Sequence, residues 1–337
     1  MSLDRRTLLG VAALASAGPA LSPATGAAQT PQIAPADPTE VIRLWPAGAP
    51  GGDGVTVTPI VPERSTDPAF HDRYAEYTTD PILTVMRPAR PNGAALLLIP
   101  GGGYRWAVVD KEGMDVARVF AAAGVTCFVL RYRLPADGWA AGPNAPLQDA
   151  QRALRLIRAG AADYGIDPAR IASLGASAGG HLAGLLAARR DATYDRVDAA
   201  DAISFRPDLN VLLYPVVTLA DPFAHVGSRT HLLGAEATPE QIATWSLERM
   251  DWSGVAPTVL IHALDDASVP VENSLVLLTR LRAAAVTTEA HLFQEGGHGF
   301  GTRLIAGKPA EVWPDLVHAF GARNGWLTVS AATPAAA

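Results

Sequence analysis

From residue 94 to residue 323, short continuous apolar runs alternate with segments of helical spacing. "AALLLIP" (94–100), "GVTCFVLRY" (124–132), "LNVLLYP" (209–215) and "PTVLIHAL" (257–264) are apolar at nearly every position. A strand of that kind is buried on both faces, and parallel strands need a crossover to join them. The crossovers are there. Residues 111–123 and 178–190 have helical spacing, and Leu147, Ala150, Leu154 and Ile157 share one face of a helix over 146–163. Val271, Leu275, Leu278 and Leu281 make a further stripe, "TEAHLFQ" (288–294) reads as a strand, and 309–323 as a last helix. The fold class is therefore α/β, a mostly parallel central sheet with helices on both faces.

Two stretches depart from the alternation. Residues 41–93 hold "VIRLW", "VTVTPIV" and "PILTVMRP", broken by Pro and Gly, which read as edge or antiparallel strands. Residues 218–256 contain Pro222, Pro239 and apolar residues without clear period. They read as a short insertion over the carboxyl edge of the sheet, where open α/β sheets bind ligands. The expected organisation is one catalytic domain over 41–327, preceded by a linker over 29–40 and followed by a flexible tail over 328–337.

The first residues read as an export signal over 1–28. Arg5 and Arg6 precede an apolar run from Leu8 to Ala17, and "ATGAAQT" supplies small residues for cleavage. Paired arginines point to twin-arginine export, hence a periplasmic or secreted protein. A Sec signal or a start codon placed too early fits the same letters. The run is short for a membrane span and holds no cysteine, so no membrane anchor is expected there. No run of Lys or Arg is longer than a pair, and the net charge is −6, so nucleic acid is not an expected partner. Cys127 is the only cysteine, which rules out an internal disulfide and reads as a small buried hydrophobe. The oligomeric state is not legible.

"GASAG" (175–179) stands between a predicted strand and a predicted helix. G-x-S-x-G in that context is a sharp turn that holds Ser177 above the sheet. Tiny neighbours two residues away are required where strand and helix nearly touch. The turn also places the hydroxyl at a helix N-terminus, which favours developing negative charge.

A serine hydroxyl needs a base. Of eight histidines, His298 is best placed, in the glycine-rich loop "EGGHGFG" just after a predicted strand. His262 and His291 fall inside strands, where a structural role is expected. His181 lies one helical turn beyond Ser177 and is expected to pack or hydrogen-bond beneath it. His225 and His231 lie in the insertion without metal-ligand spacing, so no metal site is expected. The base needs an acid, and "LIHALDDASVP" offers Asp265 and Asp266 after a buried strand. Both could instead cap the helix that follows from Val271, a role that fits Asp265 better.

Attack on an ester creates an oxyanion that backbone N–H groups must meet. "LLIPGGGYRW" ends a strand in Gly101–Gly102–Gly103. Gly102 or Gly103, with Ala178, would supply the donors of an oxyanion hole. A nucleotide loop is the competing reading, but neither G-x-G-x-x-G nor G-x-x-x-x-G-K is present, and no cofactor is expected.

These residues carry a family likeness. Over about Ile42 to Trp326 the chain resembles an α/β-hydrolase of the exported esterase/lipase group that includes acetyl xylan esterase-like proteins. "IPGGGYRW", "APLQDAQRALRLIR", "GIDPARIASLGASAGGHLA", "HALDDASVPVENS" and "GGHGFG" carry it. In that group the anion-hole loop often reads His-Gly-Gly-Gly, and Pro100 takes the place of that histidine here. The family's D-x-x-V-P aspartate falls on Asp266. The resemblance implies a Ser177, Asp266, His298 triad that cleaves short acyl esters through an acyl-enzyme, with a small-molecule or carbohydrate ester such as acetylated xylan as substrate. A general short-chain carboxylesterase or a serine peptidase of the prolyl oligopeptidase type would use the same parts. Tyr104, Trp106 and Trp139 lie on loops near the expected site. There they would bind substrate, bounding an acyl pocket or stacking on a sugar ring, unless they serve only as loop packing.

Overall fold

A computed structural model describes residues 34–328. The proposed signal, the first part of the linker and all but the first residue of the tail lie outside that range. One eight-stranded sheet organises the chain. Its strands are β1 (Val41–Arg43), β2 (Ile82–Met86), β3 (Ala95–Ile99), β4 (Thr126–Arg131), β5 (Ile171–Ala176), β6 (Leu209–Leu213), β7 (Thr258–Ala263) and β8 (Thr288–Phe293). They lie in the order β1-β2-β4-β3-β5-β6-β7-β8. The six from β4 to β8 are parallel, while β1 and β2 run antiparallel at one edge.

The helices are α1 (Asp115–Ala122), α2 (Ala145–Ala159), α3 (Ala178–Ala188), α4 (Val226–Leu233), α5 (Pro239–Trp245), α6 (Glu272–Ala283) and α7 (Trp313–Arg323). Side chains alternate across the sheet, as the pleat requires. Leu97 and Ile99 of β3 join one core with Leu147, Leu154 and Leu182. Leu96 and Leu98 join the other with Phe120, Trp313 and Phe320. Thus α2, α3 and α6 cover one face, and α1 and α7 the other. Cys127 is fully buried in the second core, and burial pushes its thiol pKa up. It is a packing residue.

Two local expectations need correction. "VTVTPIV" is not a strand of the sheet; only Ile60 makes a bridge there, to Glu76. Pro59 within it, Pro62 just after it and its exposed side chains give it neither a full ladder nor a face to bury. On α6 the inward stripe is Asn273, Ser274, Leu277 and Leu281, while Leu275 is exposed. Polar duties set that register. Asn273 Oδ1 accepts the amides of Val217 and Thr218, and Ser274 Oγ lies 2.7 Å from Nδ1 of His262. On α2 the face opposite the apolar stripe is also buried, with Arg133 and Trp45 converging on Asp149 at 2.8 and 2.7 Å.

Residues 218–256 supply α4 and α5 between β6 and β7, at the carboxyl edge. β3, β5, β7 and β8 end at that same edge, and each is followed there by one of the loops that carry the chemistry-bearing residues.

Candidate active site

Ser177 sits between β5 and α3 with φ 55° and ψ −121°. This conformation is uncommon for a residue with a Cβ, and it is held in place from outside. The Ser177 amide donates to Leu213 O at 3.0 Å, and its carbonyl accepts from His181 and Val216. A Cβ at Gly175 would collide with the Gly179 carbonyl, and one at Gly179 with the carbonyl of Ile99. The small residues around the serine are thus a packing requirement of the bend.

His298 follows β8 and reaches back over the sheet edge. Its Nε2 lies 2.9 Å from Ser177 Oγ, and its Nδ1 lies 2.7 Å from Asp266 Oδ2. A carboxylate only accepts, so Nδ1 carries the proton and Nε2 is left to accept from the serine. Asp266 Oδ1 accepts the amides of Ser268 and Val269, both at 2.9 Å. Its Oδ2 also lies 3.3 Å from Nε2 of His262. Burial alone would raise the Asp266 pKa, but hydrogen bonds from His262 and His298 overcome it and hold the carboxyl below its ordinary range. Asp265 does not cap α6. Its Oδ1 accepts the amides of Gly296 and Gly297 at 2.9 and 2.8 Å, and so ties down the loop that carries His298.

The glycine loop after β3 faces the serine. Gly102 and Gly103 have φ of 129° and 66°. Among the described residues, the N–H groups of Gly102, Gly103 and Ala178 have no protein acceptor. Pro100, which stands where the resembled enzymes often have histidine, accepts the Tyr132 hydroxyl at 2.7 Å through its carbonyl. Glu112 supports the loop from below: its Oε2 accepts the Gly101 amide at 2.8 Å. Its Oε1 accepts the Tyr214 hydroxyl at 3.0 Å, and that oxygen in turn accepts the Gly301 amide at 3.1 Å. One buried carboxylate therefore links the glycine loop to the histidine loop.

A cavity of about 350 Å³ opens over these groups, lined by Ser177, His298, Gly102, Gly103, Trp106 and His225, among others. Trp106 is in the wall, packed on Tyr74 with ring centroids 4.9 Å apart. Tyr104 and Trp139 are not among the lining residues. Tyr104 is fully buried, with its hydroxyl 2.7 Å from Nδ1 of His181. His181 Nε2 lies 2.7 Å from the Trp245 carbonyl, so the pair ties the glycine loop, α3 and α5 together. Trp139 is buried under the Arg133 guanidinium, 4.8 Å from the ring centroid. Of the two roles open to them, substrate contact and loop packing, both take the second.

Sequence reasoning missed Glu112, Tyr214 and His225. Glu112 and Tyr214 have no motif of their own, because their partners are 102 residues apart in the chain. For His225, its place in the insertion over the strand ends was the available signal.

A family model described as BD-FAE matches residues 84–281, more than half of the chain. The chain belongs to the BD-FAE family. The crystal structure of an acetyl ester-xyloside bifunctional hydrolase from Caldicellulosiruptor lactoaceticus is 33% identical, with a TM-score of 0.67 over 86% of this chain and 97% of that one. The fold is that of the α/β-hydrolases. A thermophilic esterase from Thermogutta terrifontis, 23% identical with a TM-score of 0.62 over 81% and 95% of the two chains, shares the fold. Endo-1,4-beta-xylanase B of Butyrivibrio fibrisolvens is 36% identical over 60% of this chain, and an acetylxylan esterase of Xylanibacter ruminicola 29% identical over 64%. The chain spans only 32% and 42% of the lengths of those two relatives.

Proposed function

We propose that this protein is a serine carboxylic-ester hydrolase acting on short acyl, chiefly acetyl, esters of carbohydrate such as xylan. The observation that carries the reading is the continuous chain from Ser177 Oγ through His298 to Asp266, at 2.9 and 2.7 Å. Ser177 attacks the ester carbonyl while His298 Nε2 takes its proton, and Asp266 stabilises the imidazolium. The oxyanion receives N–H groups from Gly102 or Gly103 and from Ala178; one such donor is worth about 10²–10³ in rate. His298 returns the proton to the leaving alcohol, and water then releases the acyl group by the same steps in reverse order.

The size of the cavity suits a small ester or the esterified end of a larger one. Similarity to an acetylxylan esterase and to an acetyl ester-xyloside bifunctional hydrolase supports acetylated xylan as the substrate class. Twin-arginine export, supported by Arg5, Arg6 and the apolar run after them, would deliver the enzyme to polymer outside the cell. Replacing both arginines by lysine should leave the protein in the cytoplasm. The catalytic reading is tested by acetate release from acetylated xylan beside an ester chain-length series, with Ser177→Ala as the blank. Equal acetyl-ester turnover by wild type and blank would refute it.

A further inference from the structure

His225 stands immediately before α4, in the insertion, and lines the same cavity as Ser177 and His298. Its Nδ1 receives the backbone N–H of Ser228 at 3.1 Å and lies 2.7 Å from Ser228 Oγ. A ring nitrogen that accepts an N–H carries no proton, so in the neutral ring the proton is on Nε2. The ring is held neutral: burial lowers its pKa, the nearby charges of His298 and His231 push the same way, and Asp266 opposes them. Among the described residues Nε2 has no hydrogen-bond partner.

His231, near the other end of α4, also lines the cavity. Its Nδ1 lies 2.7 Å from the Gly227 carbonyl. A carbonyl only accepts, so Nδ1 is the donor there, and Nε2 of the neutral ring is an acceptor. The two histidines are thus fixed in opposite tautomers. One helix presents the cavity with a ready donor at one position and a ready acceptor at another, both on a rigid element.

A hydroxyl group both donates and accepts, and a sugar carries several at fixed spacing. Acyl chains and aryl leaving groups have none. His225 also lies close to His298, the group that must protonate the departing alcohol. We propose that His225 and His231 form the alcohol subsite, reading the free hydroxyls of the esterified sugar through His225 Nε2–H and His231 Nε2. This rests on the ester-hydrolase reading and names the residues that set its preference for carbohydrate.

His225 also caps α4, so its loss could act through the helix alone. His225→Asn separates the two roles, because asparagine is a good N-cap residue but withdraws the donor from the cavity. The experiment compares kcat/KM for acetylated xylo-oligosaccharide with kcat/KM for p-nitrophenyl acetate in wild type, His225→Asn and His231→Phe. The sugar-to-aryl ratio is expected to fall about tenfold in each variant, the effect of losing about one hydrogen bond. A second readout does not depend on turnover: calorimetric affinity of Ser177→Ala for acetylated xylotriose should weaken by a similar factor when His225→Asn is added. Ratios within twofold of wild type and unchanged affinity would overturn the subsite. Absence of turnover of either ester by wild type would remove the enzymatic reading itself, a different result from an active enzyme with an unchanged ratio.

Discussion

Asp265 and Asp266 are adjacent in the chain and hold the same histidine loop at two different points. Asp266 Oδ2 takes the Nδ1–H of His298, while Asp265 Oδ1 takes the amides of Gly296 and Gly297. Successive side chains leaving a strand end diverge, which lets one carboxylate serve the ring and the other the backbone beneath it.

In the proposed mechanism Asp265 touches no reacting atom, yet it positions the base. Asp265→Ala should lower kcat about tenfold with KM and melting temperature nearly unchanged, since the residue is exposed and a 1 Å misplacement of a catalytic group is costly. Asp265→Asn, which keeps an acceptor oxygen, should recover most of the rate. Steady-state kinetics of the two variants on an acetyl ester, with a thermal melt of each, check this. A wild-type rate in Asp265→Ala would show that the loop needs no tether.

Gly102 and Gly103 should differ sharply in their tolerance of a methyl group. At Gly102 (φ 129°) a Cβ would collide with Trp106, its carbonyl included. At Gly103 (φ 66°) a Cβ would meet only His225 Cε1 at 3.7 Å and Ser228 Oγ at 3.9 Å, both ordinary contacts. Gly103→Ala should therefore cost roughly 1 kcal/mol of backbone strain and keep most activity. Gly102→Ala should displace the loop and lose about 10²-fold in kcat, as for a missing oxyanion donor. The two rate constants measured side by side decide it.

Tyr214→Phe removes the oxygen between Glu112 and Gly301. It leaves a buried carboxylate oxygen and a buried amide without their partner, at a cost of about 1–3 kcal/mol for such a group. Urea unfolding should show a loss of that size. The Tyr214 ring also packs against His298, 5.1 Å between centroids, and the phenyl ring keeps that contact. A change in stability should therefore exceed any change in KM.

His181 makes stability depend on pH. Burial lowers its pKa to about 4, against 6.5 for the free side chain. The unfolded chain binds the extra proton between those values, so stability falls as the pH drops through that window and is full above it. The full shift corresponds to about 3 kcal/mol. His181→Gln should be less stable at pH 7 but show a flatter decline from pH 6.5 to 4. Denaturant midpoints at three pH values test the difference in slope. Parallel slopes would mean that the ring takes up its proton as readily in the folded protein as in the unfolded chain.

Much of this molecule follows from local sequence. The apolar runs that became β3, β4, β6 and β7 needed no partner to be recognised, because a strand buried on both faces must be apolar throughout. The bend at Ser177 was legible because "GASAG" excludes side chains where strand and helix meet. His298 was legible because a glycine-rich loop follows its strand. Where the inward residues are polar, the reading failed. The apolar stripe on α6 pointed to Leu275, yet Asn273 and Ser274 face the interior, because distant amides and a histidine require their hydrogen bonds. Aromatic residues near the site stayed open between two roles for a related reason: a ring on a loop packs as readily under the loop as over the cavity, and Tyr104 went under.

The amino-acid sequence alone determined the order of strands and helices, the bend that carries Ser177 and the three loops that could meet it, since each depends on residues close together in the chain. The tertiary structure alone decided that Asp265 ties down the loop that carries His298, that Glu112 joins two loops, and that His225 and His231 line the cavity. Those outcomes depend on hydrogen bonds and packing between segments far apart in sequence, and such partners exist only once the sheet has brought its strand ends to one edge.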